Sequence, residues 1–95
     1  MNNITEATEK KVYVDVFASF KADGKMMPEA IRWEDGSIFE IDRVLDVRQA
    51  AAMRAGGQGD RYTVMVRGRQ SFLFFERSAA KTGRELGRWF VERRA

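Results

Sequence analysis

The chain of 95 residues has no cysteine, no histidine and a single proline. Without cysteine there is no disulfide framework and no thiolate zinc site. Without histidine there is no imidazole general base, no Ser–His or Cys–His nucleophilic pair and no His-ligated metal centre. No apolar run is long enough to span a bilayer. The first ten residues are polar, with Ile4 as their bulky residue, and lack the apolar core of a signal peptide. They are expected to form a disordered tail (1–10) ahead of one domain over 11–95. Together these absences point to a cytoplasmic, non-enzymatic protein without cofactor or metal.

What is present is aromatic and charged. Seven Phe, two Trp and two Tyr suffice to fill the core of a chain this size, which buries roughly 60–65% of its unfolded surface. The net charge of +3 hides an asymmetry. Residues 1–47 carry six Lys/Arg against ten Asp/Glu, net −4; residues 48–95 carry eleven against four, net +7. Either the second half meets an anionic partner, or the two halves neutralise each other in the fold.

The patterning has period two, the signature of strands. Val12, Val14, Val16, Ala18 and Phe20 share one face of a first strand. Lys21–Lys25 is a turn, and Pro28 stands at the entrance of a second strand, 29–34. Asp35-Gly36 marks a hairpin. A two-residue loop would set Ile31 opposite Glu40. A three-residue loop, Glu34-Asp35-Gly36, pairs Trp33 with Ser37 and Ile31 with Phe39 and gathers the apolar residues on one face, with Gly36 left-handed. The long segment 37–48 places Phe39, Ile41, Leu45 and Val47 on one parity and Glu40, Asp42 and Asp46 on the other. Arg43 breaks the pattern, so a bulge is expected there. Residues 49–55 suit one or two helical turns closed by Gly56-Gly57. Tyr62–Val66 and Phe72–Phe75 flank a hairpin turn at Arg67–Gln70, with Gly68 at positive φ. Phe72–Phe75 is apolar on both faces, as a central strand is. The last strand, 88–92, sets Trp89 and Val91 on one face. This predicts an all-β fold: a small antiparallel, SH3-like or partly open β-barrel of about six strands with one short helical turn.

Four groups of residues carry candidate chemistry. Ser78-Ala-Ala-Lys81 and Lys81-Thr82-Gly83 match two motifs of penicillin-recognising enzymes. They share Lys81, so they cannot face each other across a site, and a solvated loop is left. Gly56-Gly57-Gln58 matches the tripeptide with which peptide-release factors trigger peptidyl-tRNA hydrolysis. Its flanks, Ala55 and Gly59-Asp60, do not otherwise resemble theirs, and the plain reading is a mobile loop entering a strand. Glu40, Asp42 and Asp46 offer three carboxylates without the spacing of a calcium loop; a solvated strand face cross-paired with arginines explains them. Arg48, Arg54, Arg61, Arg67 and Arg69 cluster around the loops of the central stretch. With Tyr62 or a surface Phe they would make a basic-plus-aromatic surface for single-stranded nucleic acid, against a total charge that is modest for such a protein.

Asp35-Gly36, Ile41–Arg48, Ala55–Gly59 and Arg61–Val64, continued by Phe72–Phe75 and Arg88–Glu92, resemble a small family of uncharacterised bacterial proteins of about this length. The resemblance covers roughly residues 29–92, with a longer connection at 77–87 than the family pattern. It implies a compact β-rich domain of unknown function and brings no catalytic or binding residues with it. The sequence is read as an interaction module that binds another protein or its own copy through a strand edge or an aromatic patch. Single-stranded nucleic-acid binding is the alternative, and Gln58-dependent hydrolysis a third reading.

Overall fold

Seven strands follow one another along the chain: β1 (Glu9–Phe20), β2 (Met26–Arg32), β3 (Ile38–Glu40), β4 (Arg43–Ala51), β5 (Gln58–Val66), β6 (Arg69–Arg77) and β7 (Gly87–Arg94). They form one antiparallel sheet in the order β3-β2-β1-β7-β6-β5-β4, curled into a half-barrel. The structure, a computed structural model, describes residues 9–51, 58–78, 83 and 85–94.

Two stretches turn the corners. β1 pairs with β7 through Glu9–Val14 and with β2 through Asp15–Phe20. The 38–51 stretch pairs with β2 as β3 and with β5 as β4. Between them, the Ile41 N–H donates to Glu29 O (2.9 Å) and the Asp42 N–H to Met65 O (2.8 Å). Adjacent residues thus bond to opposite sides of the curl, and the segment expected as one strand is two. That break is why seven strands stand where about six were expected.

The β2–β3 hairpin has the three-residue loop: Ile31 pairs with Phe39, and the Trp33 N–H donates to Ser37 O (2.7 Å). Gly36 has φ +91°, a conformation that side chains resist. The Ser37 N–H donates to Asp35 Oδ1 (2.9 Å), which holds that carboxyl below its ordinary value. Other expectations are corrected. The bulge falls at Leu45, between Val44 and Asp46, and Arg43 is an exposed residue paired with Met65. Val44 therefore packs on the core, while Leu45 and Val47 are exposed. Pro28 lies inside β2, where the register with β1 skips Glu29; an irregular rung spares the missing N–H. Gln49–Ala51 continue β4 rather than opening a helical turn, and residues 52–55 lie outside the described residues. The β5–β6 turn is only Arg67-Gly68, both at positive φ.

The core on the concave side joins Ile31, Tyr62, Val64, Leu73, Phe75 and Trp89. Tyr62 and Phe75 tilt against Trp89 at 5.2 and 4.9 Å between ring centroids. The Tyr62 hydroxyl donates to Met26 O (2.9 Å), tying β5 to β2 across the interior. Burial, then the charge of Asp60, pushes the Tyr62 ionisation up, so the phenol stays a neutral donor. On the convex side Phe74 and Phe90 stack at 5.0 Å and are also buried. Their cover is made of side chains. Tyr13 meets Phe90 edge-on, and the Lys11 ammonium lies 5.0 Å above the same ring. The Tyr13 hydroxyl donates to Glu76 Oε1 (2.8 Å), and Arg88 stacks on Tyr13 at 3.9 Å. These side chains let the centre of the sheet be buried on both faces without a helix among the described residues.

Candidate functional site: a split in the sheet

β6 and β7 are joined over four rungs only, from Phe74↔Phe90 to Arg77↔Gly87. Beyond the Phe74–Phe90 stack they part. β7 follows β1, pairing residues 91–94 with residues 9–12. β6 follows β5 to the hairpin tip, pairing residues 69–73 with residues 62–66. Residues 69–73 of β6 therefore have no strand partner on the β7 side among the described residues.

The backbone geometry of that edge follows from the turn. A two-residue hairpin closes on a hydrogen-bonded pair, Val66↔Arg69 here, and antiparallel rungs then alternate. Arg69, Ser71 and Leu73 bond to β5. Gln70 and Phe72 turn their N–H and C=O groups away from β5 and into the split. Phe74, two further on, uses the same direction to reach Phe90.

A cleft of about 940 Å³ lies over the split. Ile31, Val66, Leu73 and Val91 form its inner wall; Phe72 and Arg61 form its outer lip; Trp33 and Phe39 of the β2–β3 hairpin close one side. Three aromatic side chains at the cleft each carry a guanidinium. Arg61 lies 4.7 Å over Phe72, Arg67 4.6 Å over Phe39 and Arg93 6.0 Å over Trp33. Arg93 is also paired to Glu34 (2.7 Å). The salt bridges among the described residues use cations other than Arg61, Arg67 and Arg69. Arg61 Nε is out of solvent with no hydrogen-bond partner.

Of the five arginines singled out in the sequence, Arg61 and Arg69 line the cleft and Arg67 overhangs it through Phe39. Arg48 is the cross-strand neighbour of Arg61 but turns to Asp46 (2.7 Å). Arg54 lies outside the described residues. Tyr62, considered as a surface aromatic, is a core residue. Glu40, Asp42 and Asp46 do not share a strand face: Glu40 is in β3, Asp42 in the link, and Asp46 follows the bulge. Among the described residues no group of three acidic side chains is placed to hold a metal ion. Gln58 opens β5 with its backbone opposite Ala51, while Gly56 and Gly57, with residues 79–82 of the Ser-x-x-Lys match, lie outside the described residues. Among the described residues no helix is long and apolar enough to cross a membrane.

Sequence reasoning did not point to Trp33, Phe39, Gln70 or Arg93 as site residues. The first two were expected on an apolar face, and only the bend of the sheet leaves that face open. Gln70 and Arg93 carry no local signal, because their roles depend on where β7 leaves β6.

No protein-family model, curated protein or solved structure matches this chain.

Proposed function

We propose that the protein is a non-enzymatic binding module that takes an extended chain from another protein, or from a second copy of itself, onto the free edge of β6. The split beyond the Phe74–Phe90 rung is the observation that supports it. Backbone groups of a strand edge pair with any extended chain of matching length, and side-chain pockets beside the edge choose among chains. Here the edge is recessed in a cleft, so a long flat partner is excluded and a short segment is admitted.

The test is a selection of linear peptides against the purified protein, followed by titration of the enriched peptides against Gln70→Pro. The substitution removes one N–H directed into the split and leaves the β5 ladder intact. Affinity should fall about tenfold or more, the worth of about 1.4 kcal/mol. Peptides that bind Gln70→Pro as tightly as the parent end this reading.

The arginine-on-ring pairs at Phe39 and Phe72 favour a second reading, single-stranded nucleic acid stacked on the same rings. Gel-shift titration with a thymidine oligonucleotide decides it. Binding would have to weaken steeply with salt and depend on Arg67 and Arg69.

A further inference from the structure

We infer that the outer edge of β4 is a self-complementary interface, on which a second copy of the chain pairs antiparallel about Val47. This surface is distinct from the edge of β6 and does not rest on the docking reading above.

β4 ends the sheet, and among the described residues no strand lies outside it. It runs over nine residues, whereas the opposite edge, β3, has three. The bonding sense of its outer side follows from the β5–β6 turn. Tyr62 and Val64 bond to β6, so Arg61 and Thr63 bond to β4. Their partners Arg48 and Asp46 bond back to β5. Val47 and Gln49 therefore turn their N–H and C=O groups outward. Side chains alternate in the same way. Val47, opposite Tyr62 of the core, lies on the concave side and is 44% exposed. Asp46 and Arg48, opposite Thr63 and Arg61, lie on the convex side.

An open edge accepts another strand unless its side chains refuse it. With the twofold axis at Val47, that residue exchanges both backbone hydrogen bonds with the partner's Val47, and the two β-branched side chains cover each other. Asp46 then stands opposite the partner's Arg48, and Arg48 opposite the partner's Asp46. These are non-hydrogen-bonded rungs, in which Cα atoms approach to about 4.5 Å. An axis at residue 46 would set two carboxylates face to face, and an axis at residue 48 two guanidinium groups. An offset of a single residue would set outward-bonding groups against groups already bonded to β5, and would turn Val47 to the wrong face. Charge and bonding sense thus choose the same register. Within its own strand Arg48 Nε donates to Asp46 Oδ2 (2.7 Å). A guanidinium has five N–H donors, so its terminal nitrogens are left for the partner's Asp46, and four alternating charges close a ring. The bulge at Leu45 bends the strand and limits the pairing at each end.

The experiment is sedimentation velocity on the full chain over a wide range of concentration, where a reversible monomer–dimer equilibrium is expected. Asp46→Arg and Arg48→Asp each set like charges opposite one another on both sides of the axis. Each should raise the dimer dissociation constant at least about tenfold. Mixing these two variants places opposite charges in both rungs and should recover the parent's affinity. The chain carrying both substitutions should recover it too, and decides the matter if a single variant does not fold. A parent that stays monomeric overturns the inference. Growth past the dimer also overturns it, because a closed twofold pair has no open edge of β4 left. A dimer indifferent to both single substitutions, or one that neither mixing nor the double exchange restores, places the contact elsewhere and overturns it as well. A dimer lost in Gln70→Pro but kept in the single charge variants overturns it in favour of a second copy seated on β6.

Discussion

Arg67 holds its backbone at φ +52°, a region that asparagine or glycine occupies more readily than arginine. A residue other than glycine in this region carries backbone strain, and here its guanidinium lies over Phe39. Arg67→Asn should raise stability by about 0.5–1 kcal/mol in a urea titration. A variant no more stable than the parent removes the strain argument. Glu76 is the second residue whose state can be read. The hydrogen bond from Tyr13, helped by the charges of Lys11 and Arg88 and opposed by burial, holds its carboxyl below the ordinary value of 4.5. A depressed carboxyl stabilises the fold fully above its unfolded value, and that contribution is lost as the pH falls through the folded one. Stability should therefore decline below pH 4.5. Glu76→Gln should be less stable at neutral pH and lose less on acidification. Parallel acid limbs in the two proteins would exclude this carboxylate as the cause.

At the scale of the element, β6 is divided in its pairing. Its second half is locked between β5 and β7; its first half is bound on one side only. Hydrogen exchange should report the division directly. Amides of Gln70 and Phe72 should exchange much faster than those of Ser71 and Leu73, and an edge-bound guest should slow them. Equal protection along 70–73 would mean that the edge is already covered. The locked half tolerates little change: a Cβ at Gly59 would run into the Phe75 carbonyl oxygen. Much of this element was legible. The apolar run Phe72–Phe75 marked a central strand, and Leu73, Phe74 and Phe75 are buried. Phe72 is 44% exposed because the sheet parts beside it, which no periodicity encodes. The neighbouring long segment shows the same limit. Its alternation placed Phe39 and Ile41 correctly beside Ile31, but the break at 41–42 and the bulge at Leu45 reset the faces of everything after them.

For the whole molecule, the charge asymmetry has a resolved answer in part. Arg93–Glu34 and Arg48–Asp46 match cations of the second half to acids of the first. Among the described residues Arg61, Arg67 and Arg69 of the β5–β6 hairpin are not matched in this way, so part of the excess cation of residues 48–95 stands beside the cleft. Raising the ionic strength should weaken binding of an anionic guest in the cleft, while unfolding stability changes little, since exposed ion pairs contribute about 0–1 kcal/mol each. A guest whose affinity ignores salt would place the contact elsewhere. A different contact crosses the interior of the curl, the Tyr62 hydroxyl on Met26 O. Tyr62→Phe should cost about 1–3 kcal/mol by leaving that carbonyl without its donor, and a neutral result would show that water replaces it.

The sequence by itself determined the class of fold, the rough place of most strands, the three-residue hairpin loop and the absence of imidazole and thiol chemistry. Each of these is written in local quantities: the period of apolar residues, the turn demanded by Gly36, the composition. Tertiary structure alone decided where the strands change partners, that β7 leaves β6 after one stacked pair of rings, and which arginines stand over which aromatics. Those features follow from twist and from pairing between residues far apart in the chain, and a pattern that repeats every two residues carries no information about either.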